Sequence, residues 1–206
     1  MNLPVLAYGD RALLVDLGDT DLVVGYVDAL RAAGIEGVAD VVPAAETVLV
    51  VAAEGASVAG LAERLGRLEP LSGPPPSDGP LVELPVVYDG PDLAEVARLT
   101  GLPEAEVVAA HTGQTWRVAF GGFAPGFGYL VGEHHRLHVP RRDSARTVVP
   151  AGAVGLAGDY SGVYPRESPG GWQLIGHTGA VLWDLDRDPP ALLRPGARVR
   201  FVAVPG

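Results

Sequence analysis

Gly122-Phe123-Ala124-Pro125-Gly126-Phe127-Gly128-Tyr129-Leu130 and Ser168-Pro169-Gly170-Gly171-Trp172-Gln173-Leu174-Ile175-Gly176 decide how the second half of this chain is read. Each packs glycine, proline and large aromatics into nine residues, a composition that suits neither a helix nor a plain strand. Glycine opens positive φ and lets backbones approach closely. Proline fixes φ and removes a donor. The rings supply apolar walls. Two readings follow: a pair of tight turns over packed aromatics, or paired loops that shape a cleft.

Outward from these segments the chain stays glycine-rich. Residues 151–179 hold eight glycines, and short apolar runs recur between Gly and Pro. That pattern excludes a helical domain and suits an all-β barrel with tight corners. Two short helix signals precede it, Asp92–Leu99 ending at Gly101 and Pro103–His111 ending at Gly113. Residues from about 85 to 206 therefore read as a small β-barrel with peripheral helices.

The first part alternates strand and helix signals. Ala12-Leu13-Leu14-Val15 is an apolar run. Asp19 or Thr20 can cap a helix carrying Val23, Tyr26, Val27 and Leu30 on one face and ended by Gly34. Val38–Val42 and Thr47–Ala52 read as strands, and Ser57 can cap a second helix with Leu61, Leu65 and Leu68 at helical spacing. Leu81–Tyr88 is a further strand. The order βαββαβ predicts an α+β domain of the ferredoxin-like kind. Between the parts, residues 71–80 hold four prolines and two glycines, which reads as a linker. The expected domains are 1–80 and 81–206, with the strand 81–88 a candidate to complete the first.

Composition narrows the function. The chain has 206 residues, 48% of them hydrophobic, and no cysteine, which excludes disulfides, thiolate nucleophiles and zinc–sulfur sites. All 15 basic residues are arginine, so no lysine serves as base, Schiff-base amine or phosphate-loop ligand. The net charge of −10 argues against nucleic acid, and it is uneven: residues 1–80 carry 12 acids against 4 arginines. No run of about 18 apolar residues suggests a membrane span, and no basic-then-apolar leader opens the chain. A cytoplasmic location is expected. GxxxxGK[ST], GxSxG and HExxH are all absent.

Several residues are candidates for chemistry. Arg136, Arg141, Arg142 and Arg146 form the densest basic stretch of an acidic chain, suited to carboxylate or phosphate recognition or to surface salt bridges. His177 follows Leu174-Ile175 near the Gly-Gly-Trp turn and could act as acid or base, or hold a structural place. Ser168, Gly170, Gly171 and Gln173 could line the same cleft, with backbone N–H groups of the glycine turn meeting an anion. Trp172 is equally suited to the core. Phe127 and Tyr129 would form the wall. His134, His135 and His138 beside Glu133 read as a solvated loop rather than a metal site, and His111, at a helix C-terminus, as structural.

GFAPGFGYL at 122–130, VPRR at 139–142, VPAGAVGLAG at 149–158, GVYP at 162–165 and SPGGWQLIGHT at 168–178 together resemble the kinase A inhibitor-like family. YGDRALLVDLGD at 8–19 and RPGARVRF at 194–201 extend the resemblance over nearly the whole chain. That family includes the B subunit of bacterial ATP-dependent 5-oxoprolinase and one part of allophanate hydrolase systems. The resemblance implies a cyclophilin-like barrel and one component of an amidohydrolase that opens 5-oxo-L-proline to glutamate with ATP. It implies the 5-oxoprolinase C and A subunits as partners, and it implies roles for Arg141 and His177. The alternatives it carries are an inhibitor of a sensor histidine kinase and an allophanate hydrolase component. His177 stands where the family commonly has arginine, Ala145 where it has proline, and Tyr160-Ser161 where it has Gln-Thr, so substrate contacts there are expected to differ.

Overall fold

The computed structural model describes residues 3–72 and 81–206. The chain divides into two compact units, Met1–Asp78 and Gly79–Gly206. Residues 73–80 of the proline-rich linker lie outside the described residues.

The first unit runs β1 (Val5–Tyr8), β2 (Ala12–Asp16), α1 (Thr20–Ala33), β3 (Val38–Pro43), β4 (Thr47–Ala52) and α2 (Val58–Arg67). Its strands form an antiparallel sheet in the order β1-β2-β4-β3. Asp19 caps α1, its carboxylate accepting from the amides of Asp21 and Leu22, and Gly34 ends it in the left-handed conformation. Ser57 caps α2 through the Gly60 amide. Both helices pack on one face of the sheet, where Leu13, Val15, Val48, Val50 and Ala52 meet Val23, Tyr26, Leu30, Leu61 and Leu65. The Tyr26 hydroxyl donates to the Leu65 carbonyl at 2.8 Å and ties the two helices together.

The element order is thus ββαββα, where the sequence predicted βαββαβ. The outer strand beside β2 comes from Val5–Tyr8, ahead of β2. It is only four residues long and follows Pro4, too short to carry an alternation signal. Leu81–Tyr88, the candidate to complete this sheet, contributes β5 (Leu81–Val86), which pairs in parallel with the last strand of the chain in the other unit.

The second unit continues with α3 (Leu93–Thr100), α4 (Glu104–Thr112), β6 (Trp116–Gly121), β7 (Gly128–Val131), β8 (Arg146–Val149), β9 (Ala153–Ala157), β10 (Tyr160–Val163), β11 (Ser168–Gly170), β12 (Gln173–His177) and β13 (Arg198–Ala203). Seven strands make one sheet in the order β12-β9-β10-β7-β6-β13-β5. Its two ends meet: Val87, just past β5, exchanges backbone hydrogen bonds of 2.9 Å with His177 at the end of β12. The sheet is therefore a nearly closed barrel. The seam tolerates no side chain at two points. A Cβ on Gly176 would strike the Val87 carbonyl, and one on Gly90 the backbone at Ile175–Gly176. β8 and β11 form a separate two-stranded ribbon. Leu84, Val86, Val96, Trp116, Leu130, Leu156, Ile175 and Phe201 belong to the main core. A second cluster gathers Phe127, Val149, Tyr164, Trp172 and Leu174.

Candidate functional site

Asp92 organises the region around the glycine-rich segments. It stands at the start of α3, yet its side chain makes no cap hydrogen bond to that helix. The carboxylate is 3% exposed and turns inward. Its Oδ1 accepts from Arg142 Nη1 at 2.6 Å and from Arg146 Nη2 at 2.8 Å, and its Oδ2 accepts from the Leu174 amide at 2.7 Å. One buried acid thus joins the helix start, the 140–146 loop and β12. Burial pushes the carboxyl up, but the Arg146 hydrogen bond, the Leu174 amide and the charges of Arg146 and Arg142 outweigh it and hold it below the usual carboxylate range.

Two further contacts clasp loop and turn. The Arg142 amide donates to the Gly171 carbonyl at 2.8 Å, and Gln173 Nε2 donates to the Pro140 carbonyl at 3.2 Å. Two arginines against one acid leave a net positive charge. Arg142 Nε, Arg146 Nη1 and Gln173 Oε1 are buried and have no hydrogen-bond partner among the described residues. Buried polar atoms are ordinarily paired, so two donors and one acceptor remain uncommitted at this junction.

The aromatic wall lies beside it. Phe127 packs edge-on against Trp172 and Tyr164, with centroids 5.4 Å apart in both pairs, and Tyr129 meets Trp172 at 5.6 Å. Phe123 holds a positive φ of 64° and stays exposed while its ring touches Phe127 and Tyr164. A positive φ on an aromatic residue is strained, and strain of this kind concentrates at functional loops. Burial raises the Tyr164 hydroxyl, opposed by the Trp172 amide and by the charges of Arg141 and Arg146. Arg141 is therefore within electrostatic reach of this wall, and its side chain is exposed.

Phe127, Tyr129, Gly170, Gly171 and Gln173 share this neighbourhood, with Arg141 at its rim. Ser168 sits at the far end of β11, paired with Val149 while Gly170 pairs with Arg146, and its hydroxyl donates to the Arg166 carbonyl. His177 lies four residues beyond Gln173 along β12, about 13 Å of extended strand. It is exposed at the barrel seam, with Nδ1 2.8 Å from Asp89 Oδ1. These contacts tie it to the seam and not to the aromatic wall.

The remaining histidines divide by environment. His111 is fully buried, its Nδ1 2.7 Å from the Tyr88 hydroxyl and its Nε2 2.8 Å from Ser161 Oγ, and burial lowers its pKa to about 3. It is a neutral core residue, in line with the structural reading. Nδ1 of both His135 and His138 reaches Asp159 Oδ1, at 2.9 and 3.0 Å, on the surface. Among the described residues no group of three His, Cys, Asp or Glu side chains could hold a metal ion. Among the same residues no helix is long and apolar enough to cross a membrane.

A family model described as "Carboxyltransferase domain, subdomain C and D" matches residues 3–193. The chain belongs to this carboxyltransferase family. Among family relatives, the 5-oxoprolinase B subunit of Escherichia coli O157:H7 is 45% identical over 178 residues, 84% of this chain and 82% of that protein. The 5-oxoprolinase B subunit of Bacillus subtilis (strain 168) is 48% identical over 127 residues, 60% of this chain and 53% of that protein. The crystal structure of TTHA0988 superposes with a TM-score of 0.75 at 36% identity, covering 96% of this chain and 40% of that one. The chain thus matches most of the first relative, about half of the second and two fifths of the third.

Proposed function

We propose that this chain is the B subunit of an ATP-dependent 5-oxoprolinase, which opens 5-oxo-L-proline to L-glutamate. The observation that carries the reading is the 45% identity to the E. coli 5-oxoprolinase B subunit across 84% of the chain. The junction is consistent with it chemically. The substrate is a carboxylate with a cis amide, needing cationic donors for its anion and both a donor and an acceptor for its ring. Arg141 meets the carboxylate at the rim, backed by the positive charge of the Arg142–Asp92–Arg146 cluster. Gln173 and the Gly170-Gly171 turn orient the ring, Ser168 flanks them, and Phe127 and Tyr129 wall it. His177 serves from the seam as a second acid–base group, reached by substrate or partner.

The chain works within a cytoplasmic complex and not alone. It has no lysine and no GxxxxGK[ST] motif, so it holds no nucleotide site of that type, and its partners are the C and A subunits. ATP supplies the driving force for opening an unstrained lactam. In this reading residues 1–80 and 81–206 are separate domains. The first is a rearranged ferredoxin-like sandwich with its outer strand taken from the N-terminal side, and the second is cyclophilin-like. The test is glutamate release from 5-oxo-L-proline and ATP by the purified chain, by the A and C subunits, and by all three together. Turnover is expected only in the full mixture. Turnover by the chain alone overturns the division of labour, and none in the full mixture overturns the assignment.

A further inference from the structure

The helices of the first unit cover one face of its sheet, and the other face is apolar as well. Register places Leu6 opposite Leu14, Leu14 opposite Leu49 and Val42 opposite Leu49. Since side chains alternate between faces, these four form one aliphatic row across all four strands, pointing away from the helices. Tyr8, Ala12 and Val51 stand in the next row. Leu6 is 55%, Tyr8 59% and Val42 46% exposed. An antiparallel sheet that faces water on one side normally shows polar residues there. Contiguous exposed apolar surface of this kind marks an interaction site.

The charge on this face says what covers it. Asp16 extends the outward positions of β2, and Asp40 ends the Tyr8 row opposite Val51. Among the described residues they are the only charged ones at the outward-facing strand positions of this sheet, and both are acidic. The surrounding residues 1–80 carry 12 acids against 4 arginines. A second copy would bring acid against acid. We propose that this sheet face docks a partner protein whose contact surface has an apolar centre flanked by Arg or Lys. The proposal rests on the reading of the chain as one component of an assembly, and the occupant is the one protein surface of that chemistry within it.

The dimensions fit such a role. Three strand spacings of about 4.8 Å and four to five residues of about 3.3 Å give roughly 200 Å². That is about a quarter of the surface each partner contributes to a standard interface, so the row can form its centre and polar residues around it would supply the rim.

The test uses the full chain with the A and C subunits, measuring affinity by calorimetry and assembly by size-exclusion chromatography with light scattering. Leu6→Glu and Val42→Glu alter exposed positions, and circular dichroism and thermal melts confirm that each variant stays folded. Binding of either is expected to weaken at least tenfold. Asp16→Arg with Asp40→Arg should weaken it and flatten its salt dependence. A wild-type complex that tolerates all of these overturns the docking face alone. Failure of the wild-type chain to bind these partners overturns the reading of it as an assembly component and the face with it. A dimer of the chain that Leu6→Glu dissolves overturns the partner in favour of a second copy.

Discussion

Replacing Asp92 should loosen the barrel unit more than any exposed charge would. Asp92→Ala removes the shared acceptor of two guanidinium groups and one backbone amide. Breaking a buried ion pair by deleting one partner costs about 3–5 kcal/mol. The Arg142 and Arg146 side chains are 34% and 22% exposed, so both can turn partly to water. The expected loss is therefore at the low end, about 3 kcal/mol. In a domain of this size that lowers Tm by roughly 10 °C. Asp92→Asn keeps an acceptor for the Leu174 amide and should lose about half as much. Tryptophan fluorescence isolates the effect, because Trp116, Trp172 and Trp183 all belong to the second unit. The pH dependence has a definite sign. The folded carboxyl is held below its unfolded value of about 3.9, so its contribution is present above that pH and is lost as pH falls through the folded pKa. Wild type and Asp92→Asn should therefore differ at pH 7 and converge in acid. A tryptophan-monitored melt of Asp92→Ala within about 3 °C of wild type, well short of the shift expected from its lost contacts, refutes the reasoning.

Three further outcomes follow. His111 has its pKa lowered from 6.5 to about 3 by burial, so the unfolded state takes up its proton first. Stability should fall by about 1.4 kcal/mol per pH unit below about 6.5 from this group. Denaturant melts at pH 7 and pH 5 should show that component, and His111→Gln should lack it. Gly90→Ala should destabilise the barrel by about 1–3 kcal/mol, because the new methyl group meets backbone at Ile175–Gly176; an unchanged denaturation midpoint would contradict the close seam. In the assembled complex, Arg141→Ala should raise the apparent KM for 5-oxo-L-proline about tenfold, the equivalent of about 1.4 kcal/mol, with an unchanged melt. Unaltered kinetics would remove its role.

Much of this architecture is written locally. Asp19, Ser57 and Gly34 sit where cap chemistry places them, and Leu61 and Leu65 show the helical spacing that buries them. The eight glycines between 151 and 179 announce β corners, and the strands β9, β10 and β12 lie among them. What escaped is non-local. Asp92 reads only as the first residue of a helix signal, but its partners are 50, 54 and 82 residues further on. No spacing rule connects such positions. The strand at Val5–Tyr8 is hidden by its length, and the parallel pairing of β5 cannot be distinguished locally from completion of the first sheet. Of the candidate residues, those in the two glycine–aromatic segments gather because Phe127 and Tyr129 pack against Trp172. His177 departs because four residues of strand carry it to the seam.

The place of β13 in the barrel has a consequence for synthesis. It lies between β5 and β6, and Glu83 waits for Arg200, 117 residues later. At about 5–20 residues per second, the ribosome needs roughly 6–23 s to deliver the strand that separates them. Throughout that interval β5 is an apolar strand without its parallel neighbour, even after β12 has emerged to meet it at the seam. The barrel is therefore completed last and at once, and a nascent chain stalled before Arg198 would carry two open strand edges into a crowded cell.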